Sequence, residues 1–442
     1  MTDATMDPPS VRGSDETERY RTVAHMLYQA ARPMRVLASI RWPESVRDEF
    51  LANGADRLPE VEYGSFDSKP CLDVVYAARR LIFPGSTIDD WFDEQAEAIE
   101  ATALMLASVG TPAFHAYARN LYGAPDVPLR YDPVTPLDLA RQVHRVIDQL
   151  ARVELGATPP ASRTAEDVAA ELAAAVNRQF GADAPRVEVV PQLSANALAT
   201  SKRIRVRKGA RFTDRDAAQL LQHEAFIHVA TSLNGKAQPD LPILGVGHPG
   251  TTRTQEGIAV FSEIVSGTLE LDRFRRLADR VLAVQMAIDG ADFVEVYRWF
   301  AESSASPEQA FENTRRVFRG GVISGGSPFT KDVVYVSGFL QVSTFVRAAF
   351  AAGRADCLRM AFAGKLDIYA IPALCELHRL GLCRLARYLP PWASDPRSVL
   401  TWLTYSTFAA SIDLTAVTGA VSRLLDRAPV VLPDEAVPSL TE

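Results

Sequence analysis

The sequence predicts a mostly helical α+β protein, and three patterns carry that prediction. Apolar residues recur at three- and four-residue spacing near 18–32, 88–108, 136–154 and 164–180, the mark of amphipathic helices. Strand-forming residues are confined to one place: Val187, Val189 and Val190, then Ile204 and Val206, a pattern of two short strands. Stop signals punctuate the rest, with Tyr122-Gly123-Ala124-Pro125 ending the first helical stretch and Pro159-Pro160 marking a later break.

Taken in order, residues 1–17 are polar and acidic with Pro8 and Pro9 and read as a tail. A proline-rich loop from Asp126 to Pro136 joins helices within the first half, and the small polar segment Ser194–Ser201 separates the two strands. Thr213 followed by Asp216 resembles a capping box, so a helix is expected from about Asp214 to the Asn234-Gly235 stop. A loop with Pro239, Pro242, Gly245, Gly247, Pro249 and Gly250 leads to a second helix from about Thr254 past Glu263. Helices and two glycine-rich loops continue to about Leu425, and 426–442 reads as a second tail.

Composition narrows the function. With 47% hydrophobic residues and a net charge of -7 over 442 residues, the chain builds a sizeable core. It also lacks the basic stripe of a nucleic-acid or anionic-membrane binder. No basic start with an apolar stretch marks a signal peptide, and no apolar run approaches the roughly 20 residues of a membrane span. The four cysteines, Cys71, Cys357, Cys375 and Cys383, have no pairing pattern and suit a reducing compartment, so a cytoplasmic location is expected. Cys375, His378 and Cys383 lie in an apolar helical pattern and read as core and surface residues rather than ligands.

One helix carries the pattern His223-Glu224-x-x-x-His228, an HExxxH motif. Zincin-type sites place two histidines four apart, with a glutamate beside the first. Five residues of ideal α-helix turn about 500°, leaving the side chains about 140° apart, so sharing one metal requires a π-type bulge or an unwinding at the helix end, and a distorted helix is expected there. Gln255-Glu256-Gly257 on the following helix offers a carboxylate, the usual third ligand of a His₂Glu zinc site, though a first-turn acid also suits the helix dipole. His248, in the intervening loop, is a rival third ligand. Glu263, two turns after Glu256, either orients a ligating histidine from behind or is an exposed acid.

The residues in this order resemble the tyrosine carboxypeptidase family of metallopeptidases, whose bacterial members are named for a QEGLC-type motif and for modulating flavohaemoglobin expression. The resemblance rests on His223-Glu224-x-x-x-His228, Asn234-Gly235, Gln238-Pro239, Thr254 to Glu263, Arg316 to Gly321 and Phe329 to Tyr335. Ile258 stands where leucine is commoner, and Val260 where some relatives carry cysteine. The resemblance spans about residues 20–420 and implies one Zn²⁺ on His223, His228 and Glu256, with Glu224 catalytic. The expected fold is a zincin-like core of the small sheet, the metal helix and the Glu256 helix within a catalytic region at 181–425, wrapped by a helical region at 18–180 and by helices after 340. Eukaryotic members remove the C-terminal tyrosine of tubulin; nothing in this sequence identifies a tubulin-facing surface.

The expected chemistry is hydrolysis at the C-terminus of a peptide or protein, with Glu224 as general base and Tyr335 as hydrogen-bond donor to the developing oxyanion. Arg316, Arg319 and Lys331 are candidates to hold the terminal carboxylate. Gly364-Lys365-Leu366 lacks the residues of a phosphate loop. A zinc-binding regulatory protein without catalysis is the alternative; retention of Glu224 and a set of only three ligands favour the enzyme.

Overall fold

The computed structural model describes residues 11–130, 133–150, 160–191, 193, 196–411, 418–419 and 421. Most of the expected tail at 1–17, the whole of 426–442, Pro159, Ser194 and Ala195 lie outside them. The four periodic segments fold as helices Val11–Ala31, Thr87–Ala107, Pro136–Leu150 and Ala165–Phe180. Local chemistry explains their starts. Ser86 accepts the Asp89 backbone N–H at 3.0 Å, and Thr164 forms a reciprocal capping box with Asp167, each satisfying donors that a helix start leaves free.

The sheet has three strands, β1 (Arg186–Val190), β2 (Ala197–Ala199) and β3 (Arg203–Arg207), in the order β1-β3-β2. β1 runs parallel to β3, and β2 runs antiparallel to it. β2 lies within the segment expected to be a polar connection, because Ala197, Leu198 and Ala199 lack the branched side chains that mark strands. Along β3, Ile204 and Val206 are buried, while Arg203 and Arg207 are exposed, the period-two alternation of a half-buried strand.

The buried residues form three cores. Helix Ala165–Phe180, the sheet and the helix carrying His223 share one, with Val168, Leu172, Ile204, Val206, Phe226 and Val229 among its members. Trp42, Phe50, Phe293, Phe311 and Phe318 centre an aromatic second. The largest draws on the early helices, Val260 and the segment Met360–Cys383. Residues 1–394 make one compact unit; residues 395–442 make another, whose longest described element is helix Arg397–Ala410.

Two glycines set the position of the helix bearing Glu256. It runs Pro249–Val265, five residues earlier than the expected start at Thr254, with Pro249 in the first turn, where a missing N–H costs nothing. This helix packs against Val334–Ala351. A Cβ added to Gly257 would lie 2.3 Å from the Gly338 carbonyl oxygen, and one on Gly338 would lie 2.2 Å from the Arg253 carbonyl oxygen. The two backbones therefore touch, and only glycine fits at either point. The stretch Lys331–Ala351 is, among the described residues, the one helix long and apolar enough to cross a membrane, and 50% of its apolar window is buried inside the protein. No such run was expected from the sequence; its apolarity serves the contact with the Glu256 helix.

Gly257→Ala should therefore cost at least the 1–3 kcal/mol typical of overpacking. Gly64→Ala, where an added Cβ meets nothing within 4 Å, should stay within about 0.5 kcal/mol of wild type. Paired thermal or urea unfolding of the two variants checks this; equal stability would contradict the close crossing.

Candidate metal centre

The helix beginning at Asp214 is capped as its sequence suggests, with Thr213 and Asp216 exchanging hydrogen bonds of 2.9–3.0 Å. It is α-helical over Asp214–Leu220, π-helical over Leu221–Val229 and α-helical again over Ala230–Lys236. In a π-helix the backbone bonds run from i to i+5, which returns residues five apart to one face. The distortion required by the HExxxH spacing is thus present where the motif lies. The His223 and His228 rings stand 4.8 Å apart between centroids and nearly perpendicular, at 82°.

Glu256 completes the group. Its Oε2 lies 3.5 Å from His223 Nε2 and 3.8 Å from His228 Nε2, beyond good hydrogen-bonding range, and this buried oxygen has no hydrogen-bond partner. One ligand atom from each of His223, His228 and Glu256 lies within 4.8 Å of the others. Ligands at about 2.0–2.1 Å from a tetrahedral metal are separated by roughly 3.3 Å, so small side-chain adjustments bring these donors onto one ion. Two imidazoles and an orphaned carboxylate oxygen fit a single divalent cation.

The sequence Gln255-Glu256-Gly257 has a division of labour. Gln255 Oε1 accepts from the Thr231 hydroxyl at 2.8 Å, tying this helix to the histidine helix. Gly257 permits the close crossing, and Glu256 between them faces the histidines. Asn234 and Gln238 act beyond the helix stop assigned to Asn234-Gly235. Asn234 Nδ2 donates to the Phe362 and Tyr388 carbonyls, and Gln238 Nε2 to those of Ala363 and Arg384. They strap the later chain to the end of the histidine helix.

Glu263 lies directly behind His223. It is fully buried and accepts from His223 Nδ1 at 2.6 Å, from Gln219 Nε2 at 2.8 Å and from both Arg273 Nε and Nη2. With Nδ1 held by Glu263, Nε2 is the nitrogen turned to Glu256, and a metal would take the place of its proton. Burial alone would raise the Glu263 pKa, but the bonds from His223 and Arg273 hold it at about 2. His223, buried yet bracketed by Glu256 and Glu263, is raised to about 10, whereas burial and the neighbouring His223 charge lower His228 to about 3.

Glu224 is positioned by the sheet: its Oε2 accepts the Ala199 N–H of β2 at 3.0 Å. Burial raises its pKa, partly opposed by His223, the direction useful in a general base. Lys331 Nζ stands 3.4 Å from Glu256 Oε1 and 5.2 Å from the centre of the Tyr335 ring, so Tyr335 adjoins the site. Arg316 grips Asp332 with bonds of 2.6 and 2.8 Å and also bonds the Tyr335 side chain. Arg319 is buried with its guanidinium carbon 6.0 Å from the centre of the Phe329 ring. His248 caps the Glu256 helix and meets Gln95 Oε1 at 3.1 Å, apart from the three-ligand group. His378 bonds to the Cys383 carbonyl at 2.7 Å.

Three participants lay outside the motifs. Arg273 sits on another helix, Leu271–Ile288, with no local signal of its role. Gln219 precedes the motif by one turn. The Ala199 amide belongs to the strand that its sequence conceals.

The sequence model of the microtubule-associated tyrosine carboxypeptidase family matches residues 48–411, most of the chain. Among curated proteins none matches.

Glu263→Gln keeps the shape of the residue behind His223 but removes its charge. The apparent affinity for a divalent cation should fall about 10- to 100-fold, as for other groups that orient metal-binding histidines. Competition with a chromogenic chelator reads this directly; unchanged affinity would separate Glu263 from the metal site.

Proposed function

The chain belongs to the microtubule-associated tyrosine carboxypeptidase family, and we propose that it is a zinc-dependent carboxypeptidase releasing the terminal residue of a peptide or protein. The single observation carrying the proposal is the π-helical turn that aligns His223 and His228 on Glu256, with Glu224 alongside. A metal helix whose glutamate touches an edge strand also suits a zincin-like core. The family's name supports a terminal tyrosine as the residue released. Zinc suits the donor set, since imidazole nitrogen and carboxylate oxygen are its common ligands.

A zinc ion held by His223, His228 and Glu256 would supply an acidified water and polarisation of the scissile carbonyl. Glu224 is placed to hold the proton given up by the hydrolytic water as its hydroxyl adds to the scissile carbon and, later, the C–N bond breaks. The Ala199 N–H holds Oε2 of Glu224, leaving Oε1 for this transfer. The carboxylic acid so formed then returns the proton to the departing amine. Tyr335 donates its phenolic hydrogen towards the oxygen on which charge develops. Lys331, in contact with Glu256 Oε1, fixes that carboxylate with Oε2 towards the histidines. Arg316 and Arg319 act from further out: Arg316 holds Asp332, next in sequence to Lys331, and Arg319 underpins Phe329 in the same loop.

Glu224→Gln should retain about one zinc per chain and lose at least about 100-fold in kcat, the scale of general-base catalysis. Metal analysis and mass spectrometry of peptides varying in their last residue check both parts. A zinc-loaded wild type that releases no residue would favour the non-catalytic, regulatory reading instead.

A further inference from the structure

A lysine outside the assigned site has no partner of its own. Lys365 is half-buried and its ammonium makes no hydrogen bond or ion pair among the described residues. Burial lowers its pKa, with the Glu256 charge opposing that effect and the Lys236 charge adding to it. The ammonium is half-buried without a partner and open to solvent, so it is available to an incoming anion.

The chain around Lys365 is fixed from both ligand-bearing helices. Phe362 and Ala363 are tied by their carbonyls to Asn234 and Gln238 at 2.8 and 3.0 Å, at the end of the histidine helix. The Lys365 backbone N–H donates to the Leu244 carbonyl at 2.8 Å. The Ile368 N–H meets the Thr254 hydroxyl at 3.1 Å, two residues before Glu256. The side chain then runs over Gly247, where an added Cβ would sit 3.2 Å from Cδ and 3.3 Å from Nζ. Gly247 thus provides the channel in which the ammonium rests.

Three other cations near the site are engaged. Lys331 contacts Glu256, Arg316 grips Asp332 and Arg273 grips Glu263. In a carboxypeptidase substrate the free carboxylate follows the scissile carbonyl by a single residue, about 3.5 Å of extended chain. Its acceptor must therefore lie beside the metal ligands and have a free charge. We infer that Lys365, seated over Gly247, binds the terminal carboxylate of the substrate and so restricts the enzyme to free C-termini.

This assignment rests on the carboxypeptidase reading, and the test separates the two. Two peptides of one sequence are compared, one ending in a free carboxylate and one in an amide, on wild type, Lys365→Gln, Lys365→Arg and Gly247→Ala. Lys365→Gln should lose about 100-fold in kcat/KM on the acid, the scale of a lost charge-assisted hydrogen bond, with little change on the amide. Lys365→Arg should recover part of the preference. Gly247→Ala, which displaces the ammonium without removing it, should also weaken it. Zinc content and melting temperature serve as controls for folding.

Binding of both peptides to Glu224→Gln, alone and combined with Lys365→Gln, gives a readout independent of turnover. Loss of acid-over-amide preference in the double variant supports the assignment. An equal effect on both peptides, or a retained preference, overturns it. Should the wild type cleave neither peptide, the peptidase reading falls while the binding comparison still decides the role of Lys365.

Discussion

Everything in the site depends on the helical register between Leu221 and Val229. An α-helix would direct His223 and His228 about 140° apart, and the two could not then both face Glu256 to share one ion. The i→i+5 bonding of a π-helix is seldom stable alone and is found mostly at functional sites. Here the surroundings hold it: Ala199 bonds Glu224, Gln255 bonds Thr231, and Glu263 bonds both His223 and Gln219. These contacts come from strand β2 and from the helix Pro249–Val265, so the distortion is stabilised by tertiary structure and not by the local sequence.

Charge balance is the second constraint. Three carboxylates, Glu224, Glu256 and Glu263, converge with two imidazoles; Glu263 and His223 are buried and the others half-buried. Isolated charges there would be prohibitive. Arg273 compensates Glu263, and Lys331 compensates one oxygen of Glu256. The remaining Glu256 oxygen and the two Nε2 atoms are what a divalent cation needs. The neighbourhood of Lys365 extends the same logic outward, with a positive charge awaiting a negative one.

The helical fold class was legible because periodicity reports burial, and these helices bury one face each. The candidate metal group was legible because two histidines, a neighbouring glutamate and a carboxylate on the next helix follow in order; the five-residue spacing asked for a distortion, and the helix has a π-turn there. Other features were hidden for physical reasons. Strand β2 is held by pairing with β3 and not by propensity. Arg273 reaches Glu263 across two helices, a contact with no sequence spacing to betray it. Asn234 looked like a helix stop, since its side-chain bonds run to residues over a hundred positions away. Arg316 looked free because its partner Asp332 is brought near only by folding.

The most direct test of the central claim is anomalous diffraction at the zinc edge from crystals of the protein grown with zinc. One peak is expected, at about 2.0–2.2 Å from His223 Nε2, His228 Nε2 and a Glu256 oxygen, with Leu221–Val229 in π-helical register. A peak held by other residues, or histidines on opposite faces of a regular α-helix, would contradict it.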